Sequence, residues 1–120
     1  MSSLPSSINS LTRFSAKRRI VASTAKTASS IVYEVPASKS LRIESLSVCN
    51  TAATTVTFRI FILGANESTA VSNAVYYDNP LQGNATLLDD SIRYLNAGDR
   101  IALRADTASS LSLQIHGVEE

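Results

Sequence analysis

From residue 31 onward, apolar and polar side chains alternate with a period of two, broken every eight to twelve residues by turn-forming residues. This is the pattern of half-buried β-strands. Ile31, Tyr33 and Val35 alternate until Pro36 stops them. Leu41 and Ile43 share one parity and Leu46 and Val48 the other, so an extra residue is expected near Glu44-Ser45, a β-bulge. The clearest strand is Thr54 to Leu63. Val56, Phe58, Ile60 and Ile62 are predicted to face inward, and Thr55, Thr57, Arg59 and Phe61 outward. Further strands are predicted at Ala74–Tyr77, Ala85–Leu88, Ile92–Leu95, Arg100–Ala105 and Leu111–Gly117. The turns Gly64-Ala65-Asn66, Asp78-Asn79-Pro80 and Asn96-Ala97-Gly98-Asp99 fall between strands. About eight short strands with one apolar face each close most simply as two antiparallel sheets packed face to face. The predicted class is all-β, a two-sheet, jelly-roll-like sandwich preceded by an extended N-terminal arm.

The first thirty residues read differently. They are rich in Ser, Thr and Ala and carry Arg13, Lys17, Arg18, Arg19 and Lys26 without one acid, whereas the rest of the chain holds six basic and ten acidic residues. The predicted division is therefore an arm over residues 1–29 and a sandwich over 30–120. The opposed charges would draw an arm toward the body of another subunit. Leu4, Ile8 and Leu11 recur at spacings of four and three, one face of a short helix that forms only against a partner. Leu4, Ile8, Leu11 and Phe14 are the expected apolar anchors of the arm, and Arg13, Lys17, Arg18 and Arg19 its charged contacts. Arg18 to Val21 reads alternatively as an edge strand.

Composition adds exclusions. The chain has 120 residues, enough for one domain with its own core, at 44% hydrophobic and 18% charged. No apolar stretch approaches the ~20 residues of a membrane-spanning helix, no secretory signal is read at the start, and no membrane partner is expected. The single Cys49 cannot form an internal disulfide and is expected as a small buried hydrophobe.

No catalytic constellation is read from the residues. His116 is the one histidine and lies on the polar parity of the last strand. Alone it supports neither a zinc cluster nor a catalytic triad. Asp89-Asp90 is the one adjacent acid pair before the C-terminus, but it lacks the spacing of a calcium loop. It is read as a solvated loop or as the acidic partner of a neighbour's arm. Four scattered glycines make no phosphate-binding loop. Lys17-Arg18-Arg19 without interleaved aromatics is a poor nucleic-acid signal. The expectation is no enzyme, no catalytic residue, no metal, no cofactor and no nucleic-acid partner. Phe61 on a polar parity, with Tyr76 and Tyr77, is the expected subunit contact, since aromatic residues are enriched in interfaces.

The run Leu46 to Ala53 followed by Thr57-Phe58-Arg59-Ile60, the segment Gly98 to Ala105, and the ending Ile115-His116-Gly117-Val118-Glu119 together resemble a family of small virion structural proteins of tailed bacteriophages. These are accessory proteins of the capsid, neck or tail. The resemblance covers roughly residues 30–119 and leaves residues 1–29 outside it. It implies a jelly-roll-like sandwich without enzymatic activity, a homo-oligomer with a trimer favoured, a location in the virion, and capsid, portal, neck or tail subunits as partners. The competing reading is a carbohydrate- or receptor-binding sandwich of a host-attachment apparatus. With no Trp, only Tyr33, Tyr76, Tyr77 and Tyr94 would provide its platform.

Overall fold

The computed structural model describes residues 17–120. Leu4, Ile8, Leu11, Arg13 and Phe14 lie outside the described residues. Nine strands follow one another: β1 (Arg18–Thr24), β2 (Ser30–Glu34), β3 (Leu41–Asn50), β4 (Val56–Leu63), β5 (Ala74–Leu81), β6 (Thr86–Asp89), β7 (Arg93–Leu95), β8 (Arg100–Ala105) and β9 (Leu111–Glu119). A 3-10 turn at Val71–Asn73 is the only helical element among the described residues. The eight strands expected after residue 30 correspond to β2–β9.

The strands form two antiparallel sheets, one in the order β1-β9-β3-β6 with β7 also on β3, the other β2-β8-β4-β5. If β6 and β7 are taken as one interrupted strand, first pairs with last, second with next to last, third with the interrupted strand, and β4 with β5. A long antiparallel hairpin rolled over itself has this order, which is that of the jelly roll. Its connections carry the chain from one sheet to the other except between β4 and β5 and between β6 and β7.

The winding places β1 at a sheet edge, the alternative that the sequence offers for Arg18 to Val21. Residues 18–24, read as part of the arm, pair along β9 from Arg18 opposite Gly117 to Thr24 opposite Ser112. Val21 and, just past the strand, Ala25 are buried in the core. The sandwich thus starts twelve residues ahead of residue 30. The reason is non-local: a strand with one buried Val becomes stable only because β9 offers it an open edge.

The core lies between the sheets, where Leu46, Val48, Val56, Phe58, Ile60, Ile101, Leu103, Leu113 and Ile115 are buried. The bulge expected near Glu44-Ser45 is present as a register shift between Ile43 and Ser45. A matching shift between Arg19 and Val21 on β1 lies on the other side of the same strand, β9. A third, between Ile31 and Tyr33, turns Ile31 outward, so that Val32 and Tyr33 rather than Ile31 pack on the core. Cys49 is half-buried on the outer face of β3 rather than in the core, because its neighbours Val48 and Asn50 take the inward positions.

Gly117 is needed where β9 passes the bulge. A Cβ there would stand 2.2 Å from the Arg42 carbonyl oxygen. Gly117→Ala is therefore expected to lower stability by about 1–3 kcal/mol, the usual range for overpacking. Urea unfolding reads this as a fall in midpoint with unchanged slope.

Candidate functional site

Two side-chain clamps close the open sides of the sandwich, and both have the same chemistry. On one side the Tyr33 hydroxyl of β2 donates to Glu119 of β9, and Arg18 of β1 reaches the same carboxylate at 3.3 Å. Burial, and then the bond to Glu119, push the Tyr33 hydroxyl up to about 12. On the other side the Tyr76 hydroxyl of β5 donates to Asp89 of β6 at 2.5 Å, and Arg93 of β7 donates to the same oxygen at 3.2 Å. The Ser91 backbone N–H caps the second oxygen at 2.8 Å. Each clamp joins an edge strand of the four-stranded sheet to the five-stranded sheet. A carboxylate that accepts several bonds while partly buried is held strongly in its charged form.

For Asp89 that stabilisation is directional. The Tyr76 hydroxyl, the Ser91 amide and the Arg93 charge hold its carboxyl well below the usual carboxylate range. A depressed folded-state pKa contributes stability that is complete above the unfolded value, near 3.9, and is lost as pH falls below it. Asp89→Asn is expected to lower stability near pH 7 by about 1–3 kcal/mol. It is also expected to flatten the decline of the melting temperature between about pH 5 and pH 2. Thermal melts of both proteins across that range check this, and parallel curves would count against it.

The outer face of the four-stranded sheet carries a third group. Arg59 holds Asp78 through two bonds of 2.6 and 3.0 Å and lies 4.0 Å from the centre of the Tyr77 ring. Arg104 comes within 4.0 Å of the same carboxylate. Arg59 keeps the Asp78 carboxyl below its ordinary value. These groups are exposed, and their pairing adds little to stability in water.

The expected contact residues divide. Phe61 is 2% exposed and is not available to another subunit. It forms a second small cluster with Leu63 and Ala102, against which Ala74 packs. The chain after Gly64 is held near this cluster by Arg100, which donates to the carbonyls of Gly64 and Glu67. The parity of Phe61 is as predicted, but it clusters with Ala102 of β8 and Ala74 of β5, which alternation does not report. Tyr76 is half-buried: its ring packs on Phe58, centroids 5.5 Å apart, and its hydroxyl is held by Asp89. Only Tyr77 of the three is exposed. Of the arm residues within the described chain, Lys17 is exposed just before β1, Arg18 is engaged with Glu119, and Arg19 is exposed opposite His116. Asp89 and Asp90 part company, Asp89 into its clamp and Asp90 into solvent.

Two exposed apolar side chains, Leu88 and Ile92, escape the sequence reading, and they lie near Tyr94, which it names as a platform candidate. Leu88 is 66% exposed, Tyr94 77%, and Ile92 50%. All lie on or between β6 and β7, the interrupted edge of the five-stranded sheet. Adjacent apolar residues at Leu87-Leu88 signal that one of the two faces solvent. Tyr94 also borders a cleft of about 290 Å³ with Arg42, Asn96 and Val118. Among the described residues, no three His, Cys, Asp or Glu side chains gather as metal ligands would.

No protein-family model matches the chain, and no curated protein matches it. Among solved structures it is similar to a chain of the structure of infectious bursal disease virus Gx strain. The identity is 15% and the TM-score 0.44, over 84% of this chain and 32% of that one. The chain thus spans about a third of the length of that match.

Proposed function

We propose that this chain is a non-enzymatic structural subunit of a virus particle. In the finer reading it is a phage accessory protein that decorates or cements the capsid or attaches at the neck or tail. It assembles with copies of itself, as a trimer if the resemblance of residues 30–119 holds, and its N-terminal residues dock on a neighbouring virion protein. The observation that carries this reading is the use made of the perturbed ionisable groups. Strongly shifted pKa values often mark active sites. Here the shifted groups Tyr33, Tyr76, Asp89, Arg59 and Asp78 all join one strand to another. The polar chemistry of the described residues serves a rigid jelly roll. Lys17 leads into that body at an edge strand.

Gold-labelled antibody against the chain, applied to purified particles and viewed by electron microscopy, tests the proposal. Label on the capsid, neck or tail is expected. A protein confined to the soluble fraction of infected cells would overturn it.

Exposed Tyr94 beside its cleft favours one second reading, a saccharide- or receptor-binding module. Binding on a glycan array that Tyr94→Ala abolishes would support that reading over the first.

A further inference from the structure

The two outer faces of the sandwich differ in charge. That of the four-stranded sheet carries Arg59, Asp78 and Arg104. The outer face of the five-stranded sheet is nearly free of charge over the stretch between Thr24 and Arg19 of β1; beyond it on β3, Arg42 pairs with Glu44 at 2.8 Å. Strand register places Ala22, Gln114, Ser47 and Leu88 side by side in one row across it. The next row toward Thr24 holds only hydroxyl groups and Cys49. In the row on the other side, Arg19 stands opposite His116, which stands opposite Ser45. Asp90, one residue beyond the pair Leu46 and Asp89, extends that row at its far end. Depletion of charge is what distinguishes the centre of a protein interface from ordinary surface.

We infer that this face packs against the same face of a second copy, about a two-fold axis that runs parallel to the strands between β9 and β3. This goes beyond the virion reading and concerns only which surface the chain uses to meet itself. The axis lays β1 of one copy over β6 of the other, and β9 over β3. Because the operation preserves position along the strands, each row meets itself reversed. Leu88, the one exposed large hydrophobic side chain on these four strands, then stands over the methyl of the partner copy's Ala22. Arg19 at one end of its row stands over Asp90 at the other end. Both contacts occur twice, as an isologous interface requires. A face with scattered charges of one sign would repel its own copy; here Arg19 and Asp90 are opposite and are brought together, and Arg42 is already neutralised by Glu44. Aligned packing of two sheets is a common geometry.

From strand spacing and rise, the face measures roughly 20 by 20 Å. That is below the ~800 Å² per partner of a standard interface, so the association is reversible. Each copy uses the face once, so it makes pairs, and a trimer would require a separate surface.

Sedimentation velocity of the full chain over a concentration series is expected to show the mass rising from one chain toward two. Leu88→Glu and Arg19→Glu are each expected to raise the concentration of half-association about tenfold or more, the equivalent of 1.4 kcal/mol or more. The exchanged pair Arg19→Glu with Asp90→Arg is expected to restore it. Cys49, beside the axis, provides a second readout. With sheets ~10 Å apart, the two Cys49 side chains lie within reach of a short bismaleimide, which is expected to cross-link the native chain but not Leu88→Glu. The substituted positions are exposed, and unchanged thermal melts confirm that folding is intact. A chain that stays monomeric, or an association indifferent to Leu88 and Arg19, overturns the inference. Either result leaves the presence of the protein in a particle to be decided by the label experiment.

Discussion

A chain shortened to residues 30–120 is expected to lose its cooperative fold, whereas one shortened to residues 17–120 keeps it. The difference is β1. Its removal strips Val21 and Ala25 from the core, the ladder with β9 from Arg18 to Thr24, and the Arg18 arm of the Glu119 clamp. Burying one Val side chain is worth roughly 1.5–3 kcal/mol. Each ladder hydrogen bond adds about 0.5–1.5 kcal/mol net. The total loss, about 5 kcal/mol or more, approaches the whole stability of a small domain, roughly 5–15 kcal/mol. It also leaves β9 as an unpaired edge open to aggregation. Soluble yield and the thermal unfolding curve of each truncation measure this. If residues 30–120 melted within a few degrees of the full chain, β1 would be an appendage, and a division at residue 29 would stand.

Asn50→Asp is expected to be the most damaging single substitution, at about 3–5 kcal/mol. Asn50 is fully buried at the end of β3. Its side-chain amide donates to the carbonyls of Thr54 and Leu81, both at 2.9 Å, and of Gln82 at 3.2 Å. Its own carbonyl oxygen accepts the Ala52 N–H at 2.9 Å. One side chain thus joins the β3–β4 turn to the β5–β6 turn, both at the end of the antiparallel pair β4 and β5 where Val56 stands opposite Leu81. Gly83 lies in the same corner, where a Cβ would meet the Ala53 carbonyl oxygen at 2.2 Å. An aspartate would set a charged oxygen against three carbonyl oxygens with no water to screen it. A buried charge without a partner costs several kcal/mol, or takes up a proton instead. Denaturant unfolding at pH 5 and pH 8 separates these outcomes. The deficit is expected to be larger at pH 8, and a near-native midpoint at both values would refute the role given to Asn50.

Much of the molecule was legible because it depends on neighbours along the chain. Alternation located β2 through β9, and the parity change in β3 located its bulge. Less was legible about the candidate surfaces. Phe61 and Tyr76 looked like contacts because parity and aromatic character are local signals. What packs on them, Ala74 and Ala102 for one and the Asp89 clamp for the other, comes from other strands. Asn50 falls in the turn-forming run Asn50-Thr51-Ala52-Ala53, and the sequence marks it no further for the same reason: two of its three acceptors lie more than thirty residues away. Leu88 carried a signal, its adjacency to Leu87, but only the pairing with Ser47 shows that it stands on an uncharged sheet face.

The sequence by itself determined the strand positions, the inward faces and the two-sheet class, because a period of two with regular breaks has few other ways to bury its apolar side. It also established the separation of a basic N-terminal stretch from an acidic remainder. The tertiary structure decided the rolled strand order, the membership of β1, the two Tyr–carboxylate–Arg clamps, and which exposed residues share a face. Each of these depends on contacts between residues far apart in the chain. Such contacts form only once closure of the sandwich has offset the entropy of bringing them together, and no local pattern records which partners they will be.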